Sequence, residues 1–237
     1  MSKMSKCDRM VEKLLKENFL SSCVCTSQKS VYLGTTVILY KITDHKHFNI
    51  KTLRGCPFKG IINMEELSYE AIVKRTYKPT ENKLIVIHNG NENEYEWQDT
   101  KIDLTPIRLK TITTDELKFY TKLIKAFKDK NCVFSEKWMF LFGDGALTKI
   151  RLDTEAPLTA YNPDYLAKVF EYTSAWTKEH YSFSFFDIVL YKRIDAKDIY
   201  LVGITYHEDN EAIALLLPLS KETAEGLIEE VKEYERV

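Results

Sequence analysis

Apolar residues recur along this chain in two rhythms, and each change of rhythm marks an element. Met10, Val11, Leu14 and Leu15 fall on one side of residues 8–18, with Arg9, Lys13 and Lys16 on the other. That spacing predicts a helix. Residues 22–27 and 31–42 are strand-like, with a turn at 28–30, and residues 49–53 add a short strand. A second helix is predicted over 64–77. Asn63 can cap it, and Glu66 three residues later completes a capping-box arrangement. Leu67, Ala71 and Ile72 form its apolar face, and Lys74 and Arg75 sit near its end, where the helix dipole favours cations. Asn89-Gly90, between residues 83–88 and 94–97, is a strong hairpin signal.

Residues 98–106 are polar and contain Pro106, so a domain boundary is placed there, followed by a strand over 107–112. The clearest helix runs over 114–130, with Thr114 as its cap. Leu117, Tyr120, Leu123, Ile124 and Phe127 make its apolar stripe. Lys118, Lys122 and Lys125 lie opposite, within roughly 60° of one another at 3.6 residues per turn. Lys128 and Lys130 extend the positive end. Strands follow over 132–142 and 146–153, joined through Gly143-Asp144-Gly145. Asn162 then caps a helix that reaches residue 172, with Pro163 at the first helical position. Its stripe is Tyr165, Leu166, Val169 and Phe170, and Asp164, Lys168 and Glu171 lie mainly on the other side. Three apolar strands come next, and a Glu/Lys-rich helix over 220–237 has Ala224, Leu227, Ile228 and Val231 as a thin apolar side.

The two halves share one order of elements, so the chain reads as α+β, with two domains of the same plan, each with two helices packed on antiparallel sheets. The boundaries are 1–103 and 104–220, with a helical tail over 221–237.

Composition narrows this picture. The 237 residues are 44% hydrophobic and carry a net charge of −1, so a sizeable core is available and a wholesale basic nucleic-acid binder is excluded. A local basic surface is not excluded. No apolar run reaches the roughly 20 residues of a membrane span, so the chain is expected to be soluble and cytoplasmic. The five cysteines, Cys7, Cys23, Cys25, Cys56 and Cys132, fit reduced thiols better than a disulfide framework. Cys23 and Cys25 with His45 and His47 could hold a metal, but the spacing matches no zinc pattern. The plainer reading is buried small hydrophobes beside a solvated loop. No cofactor motif is found.

Ala160-Tyr161-Asn162-Pro163-Asp164-Tyr165-Leu166, followed by Val169, resembles the phrase that opens a late helix in bacterial DNA polymerase sliding clamps, the beta subunits. Ala214-Leu215-Leu216-Leu217-Pro218-Leu219 is similar to that family's last strand, and Phe142-Gly143-Asp144-Gly145 to one of its turns, although the usual His-Arg pair is replaced by Ala146 and Leu147. The likeness covers about residues 105–219, and the first half matches only in plan. It implies the DNA clamp fold and a ring of six such domains. Two domains per chain make that ring a homotrimer, closed by head-to-tail contacts. It further implies a processivity factor used in DNA replication that encircles double-stranded DNA. Lys118, Lys122 and Lys125 would face the DNA, with Lys13, Lys16, Lys74, Arg75 and Lys168 as weaker candidates. Leu217, Pro218 and Leu219 would help line a pocket for peptides of a DNA polymerase and a clamp loader. The added helix over 221–237 departs from the family pattern. It could cover that pocket, mediate assembly or pack on the outer sheet.

Two rivals stand beside this reading. An enzyme is disfavoured, because the sequence has no phosphate loop, nucleophile elbow or spaced carboxylate pair in a recognisable frame. An interaction module that keeps the fold and does not encircle DNA stays open, since a fold alone does not fix function. Lysines can also merely solvate an amphipathic helix.

Overall fold

The computed structural model describes residues 5–17, 22–26, 31–35, 37–42, 61–64, 76–80, 83–96, 105–180, 185–193 and 196–236. The chain divides into two compact units, Met1–Ile102 with Arg193–Asp195, and Asp103–Lys192 with Ala196–Val237. Both are α+β and both are built on antiparallel strands.

In the first unit helix α1 (Lys6–Glu17) buries Val11 and Leu14 and packs on strand β2. The strands β1 (Ser22–Thr26), β2 (Val31–Thr35), β3 (Ile38–Ile42) and β4 (Ile61–Met64) run in the order β4-β1-β2-β3. The predicted strand over 31–42 is in fact two. The Thr35 hydroxyl accepts from the amides of Val37 and Ile38, both at 3.2 Å, and turns the chain. Gly34 makes this hairpin possible, because a Cβ there would stand 2.1 Å from the Ile38 carbonyl oxygen. A second sheet, β5 (Thr76–Pro79), β6 (Lys83–His88) and β7 (Asn91–Glu96), turns at Asn89 and Gly90, with φ of 50° and 81°. Positive φ at both turn residues is the type I′ geometry that Asn-Gly signals.

The predicted helix over 64–77 fails at both ends. Asn63 does not cap it: Asn63 and Met64 pair with Cys23 and Ser22 in β4, while Thr76 and Tyr77 belong to β5. The β-branched pair Ile61-Ile62 suits a strand, and pairing to β1 overrides the capping signal. Its interior, and the expected strand over 49–53, lie outside the described residues.

In the second unit β8 (Ile107–Thr113), β11 (Phe185–Lys192), β12 (Tyr200–Tyr206) and β13 (Ala214–Leu216) form a sheet in the order β13-β12-β11-β8. Helices α2 (Thr114–Ala126) and α3 (Pro163–His180) pack on each other and on this sheet. Strands β9 (Asn131–Gly143) and β10 (Ala146–Tyr161) form a long ribbon. Its turn is Asp144-Gly145, with φ of 51° and 76°. The pairing register shifts between Arg151 and Ala156 and again between Ala156 and Thr159. Facing that irregular stretch, Glu136 takes φ 51°. Across this bulge the buried face changes parity, from Val133 to Phe140 and Phe142.

At Cys132–Phe134 and Thr159–Tyr161 the ribbon is buried on both faces. Phe134 meets Tyr161 edge-on at 5.3 Å on one side. On the other, Val133, Phe140, Phe142 and Ala160 are covered by helix α4 (Lys221–Arg236) through Ala224, Val231, Leu227, Ile228 and Tyr234. The tail thus packs on the ribbon. Ser220 caps α4: its hydroxyl accepts from Thr223 N at 3.2 Å.

Candidate nucleic-acid interface

Helix α2 carries the predicted lysine strip, and its start is fixed by side chains. Thr113, one residue before the expected Thr114, is the N-cap. Its hydroxyl accepts from Glu116 N at 3.2 Å, and the Glu116 carboxylate accepts from Thr113 N at 2.8 Å. Thr113 wins because its backbone is still extended, at φ −81° and ψ 168°. The helix ends at Ala126 rather than 130, because Asp129 adopts φ 62° and the chain reverses into β9. Leu117, Tyr120, Ile124 and Phe127 are buried. Each aliphatic side chain so buried stabilises the docking by about 1.5–3 kcal/mol.

With that face buried, Lys118, Lys122 and Lys125 project from the opposite one and all are exposed. They are not equivalent. Lys118 Nζ lies 2.8 Å from Asp115 Oδ1, and the lysine holds the Asp115 carboxyl below its usual range. Lys125 donates across to Glu171 of α3. Lys122 has no partner among the described residues. On α3, Lys168 sits one turn before Glu171, pairs with Asp164 at 3.4 Å and lies 4.9 Å from the centre of the Tyr165 ring. Asn162 caps α3 as expected, accepting from Asp164 N at 2.9 Å and Tyr165 N at 3.3 Å. The helix runs on past residue 172 to His180, because Thr173, Trp176 and Thr177 are buried there; the two threonine hydroxyls donate to carbonyls four residues back, both at 2.9 Å.

The other candidates are not on α2. Lys13 is an exposed residue of α1 in the first unit, 3.6 Å from Glu17. Lys16 belongs to the same helix, with its side chain outside the described residues, as are Lys74 and Arg75 altogether. Leu217, Pro218 and Leu219 follow β13. The first two are half-buried, Leu219 is exposed, and its amide donates to Ala160 O at 2.8 Å. Among the described residues no group of three His, Cys, Asp or Glu could hold a metal. His45 and His47 lie outside them. No described helix is long and apolar enough to cross a membrane.

A charged centre that the sequence reading missed lies in the same unit. Asp187 of β11 is fully buried. Its carboxylate accepts from Arg108 Nε at 3.1 Å and Thr111 Oγ1 at 2.8 Å, both on β8. His207 Nδ1 lies at 2.8 Å and Glu208 N at 3.4 Å, in the turn after β12. Burial by itself would raise the Asp187 pKa. The hydrogen bonds from His207, Thr111 and Glu208, with the His207 charge, outweigh it and leave the carboxyl below its usual range. Arg108 also reaches Asp209 O at 3.1 Å and Asn210 Oδ1 at 3.0 Å. The missed signal was one acid inside the apolar run of β11, which must find a partner if it is to be buried.

No family model matches this sequence, and no curated protein matches it. Among solved structures the chain is similar to the beta clamp of Helicobacter pylori crystallised with 5-chloroisatin, at 12% identity and a TM-score of 0.42, over 91% of this chain and 64% of that one. It is also similar to the DNA polymerase III beta subunit of Thermotoga maritima, at 11% identity and a TM-score of 0.41, over 90% and 63%. A third is the Helicobacter pylori clamp bound to a DNA ligase peptide, at 13% identity and a TM-score of 0.39, over 90% and 62%. This chain thus spans less than two thirds of the length of each of these clamp chains.

Proposed function

We propose that this protein is a sliding-clamp-like processivity factor that encircles double-stranded DNA as a homotrimer in the cytoplasm. It contacts the DNA through its backbone and tethers a DNA polymerase through a peptide. Each chain contributes two clamp-like domains, residues 1–103 and 104–220. The observation that carries this reading is the exposed strip of Lys118, Lys122 and Lys125 on a helix held by the unit's antiparallel sheet. Lysines at helical spacing reach phosphates without reading bases, and weak contacts suit a protein that must slide. Lys13, Lys16, Lys74, Arg75 and Lys168 add to the positive surface. Leu217, Pro218 and the exposed Leu219 serve as part of the seat for the polymerase or clamp-loader peptide.

A second reading is favoured by the acids on the strip. Asp115 and Glu171 engage Lys118 and Lys125, which lowers the positive field, as a protein-interaction module that does not encircle DNA would tolerate. One experiment separates the two. Replacing Lys118, Lys122 and Lys125 by Glu should abolish retention on nicked circular DNA and lower polymerase processivity, with the fold intact by circular dichroism. Each phosphate that a lysine no longer neutralises should flatten the log–log salt dependence by about 0.9. Unchanged processivity in the triple variant, or a wild-type monomer that stays monomeric in sedimentation at high concentration, would overturn the ring.

A further inference from the structure

Phe119 is 59% exposed, the most exposed large apolar side chain among the described residues. It stands on the same outward face of α2 as the lysines, one residue after Lys118 and one turn before Lys122. Scattered single apolar residues on a surface need no explanation. The company of this one is different. At 100° per residue the side chains nearest it on the helix surface are the exposed Asp115, Lys122 and Ala126 and the half-buried Glu116 and Leu123.

We propose that Phe119 is a stacking platform for an unpaired base, so that the outer face of α2 prefers single-stranded nucleic acid, or the single strand beside a duplex end, to duplex alone. This deepens the proposed function and rests on α2 facing nucleic acid. Bases in a duplex are already stacked on each other and offer a ring no face. A single strand offers both a base face and phosphates, and the exposed Phe119 ring, with Lys122 one turn on and Lys118 on the same outward side of the helix, matches those two chemistries. Tyr120, its ring centre 5.5 Å away and inclined at 59°, is buried and backs the platform. A protein partner fits less well. A docking hot spot is an apolar centre that excludes water, and here three of the five nearest side chains, Asp115, Glu116 and Lys122, are charged.

The test measures binding of the full chain to a labelled oligothymidylate and to a blunt duplex of equal length, by fluorescence anisotropy at low salt. Phe119→Ala should weaken single-strand binding roughly 5- to 100-fold, the range of aromatic–base stacking, and leave duplex binding unchanged. Phe119→Trp should keep or strengthen single-strand binding. Lys122→Glu should weaken both. Phe119 is exposed, so both of its variants should melt like the wild type. If Lys122→Glu weakens duplex binding while Phe119→Ala leaves the single-strand to duplex ratio unchanged, the platform is refuted and the DNA-binding reading stands. If the wild type binds neither form, the platform is refuted, and the DNA-binding reading is decided by retention on nicked circular DNA. If Phe119→Ala instead abolishes self-association and spares single-strand binding, Phe119 belongs to a protein interface and the platform is refuted.

Discussion

The second unit places charge in two opposite ways. At Asp187 a carboxylate with no solvent exposure is held by four groups on two elements. On α2 three lysines stand in water: Lys118 pairs with the well-exposed Asp115, Lys125 with the half-buried Glu171, and Lys122 has no partner among the described residues. The chemistry is the same, and the surroundings decide what it does. A buried ion has lost its hydration and depends on every partner it keeps. An exposed pair loses little when broken, because water takes over. So the Asp187 centre fixes structure, tying β8 and the turn after β12 to β11. The α2 strip stabilises almost nothing and is free to meet a ligand.

The largest effect should come from breaking the buried centre. Arg108→Met leaves the Asp187 carboxylate without its strong cation. Because Arg108 is itself partly solvated, the lower end of the range for a broken buried pair applies, about 3 kcal/mol, read from the urea midpoint. A loss no greater than that of a surface substitution would dissolve the contrast. Next comes pH. The Asp187 pKa is lowered in the folded protein. Its contribution is therefore complete above the unfolded carboxyl pKa, about 3.9. It fades as pH falls through the lower folded value. Asp187→Asn should remove that acid-dependent part of the urea midpoint between neutral pH and about pH 3, and an unaltered acid limb would show that other carboxyls carry it. The smallest effect belongs to the strip. Lys118→Met should change stability by less than about 0.5 kcal/mol. A larger loss would mean that its pair with Asp115 holds the helix.

Sequence made some of this legible and hid the rest, for physical reasons. Asn162 and Asn89-Gly90 act on their own neighbours, so local reading finds them. Thr113 and Thr114 can both cap, and only the backbone angle at Thr113 separates them. The last turns of α3 contain threonines, a tryptophan and a histidine, weak helix formers that burial of Thr173, Trp176 and Thr177 carries along. In β4 a distant pairing with β1 overrides a local cap. The Asp187 centre was hidden longest, since Arg108 lies 79 residues away along the chain. Of the eight proposed DNA-facing residues, the spacing rule brought together those on α2 and could not say which would acquire an acid neighbour.

The helix over the ribbon carries a consequence for synthesis. Phe140 and Phe142 gain shelter on one side only from α4, which follows the ribbon by roughly 60 residues. At translation speeds of about 5–20 residues per second, the ribbon waits roughly 3–12 s for its cover. During that interval the nascent chain shows the ribosome's surroundings a greasy surface that the finished molecule never displays.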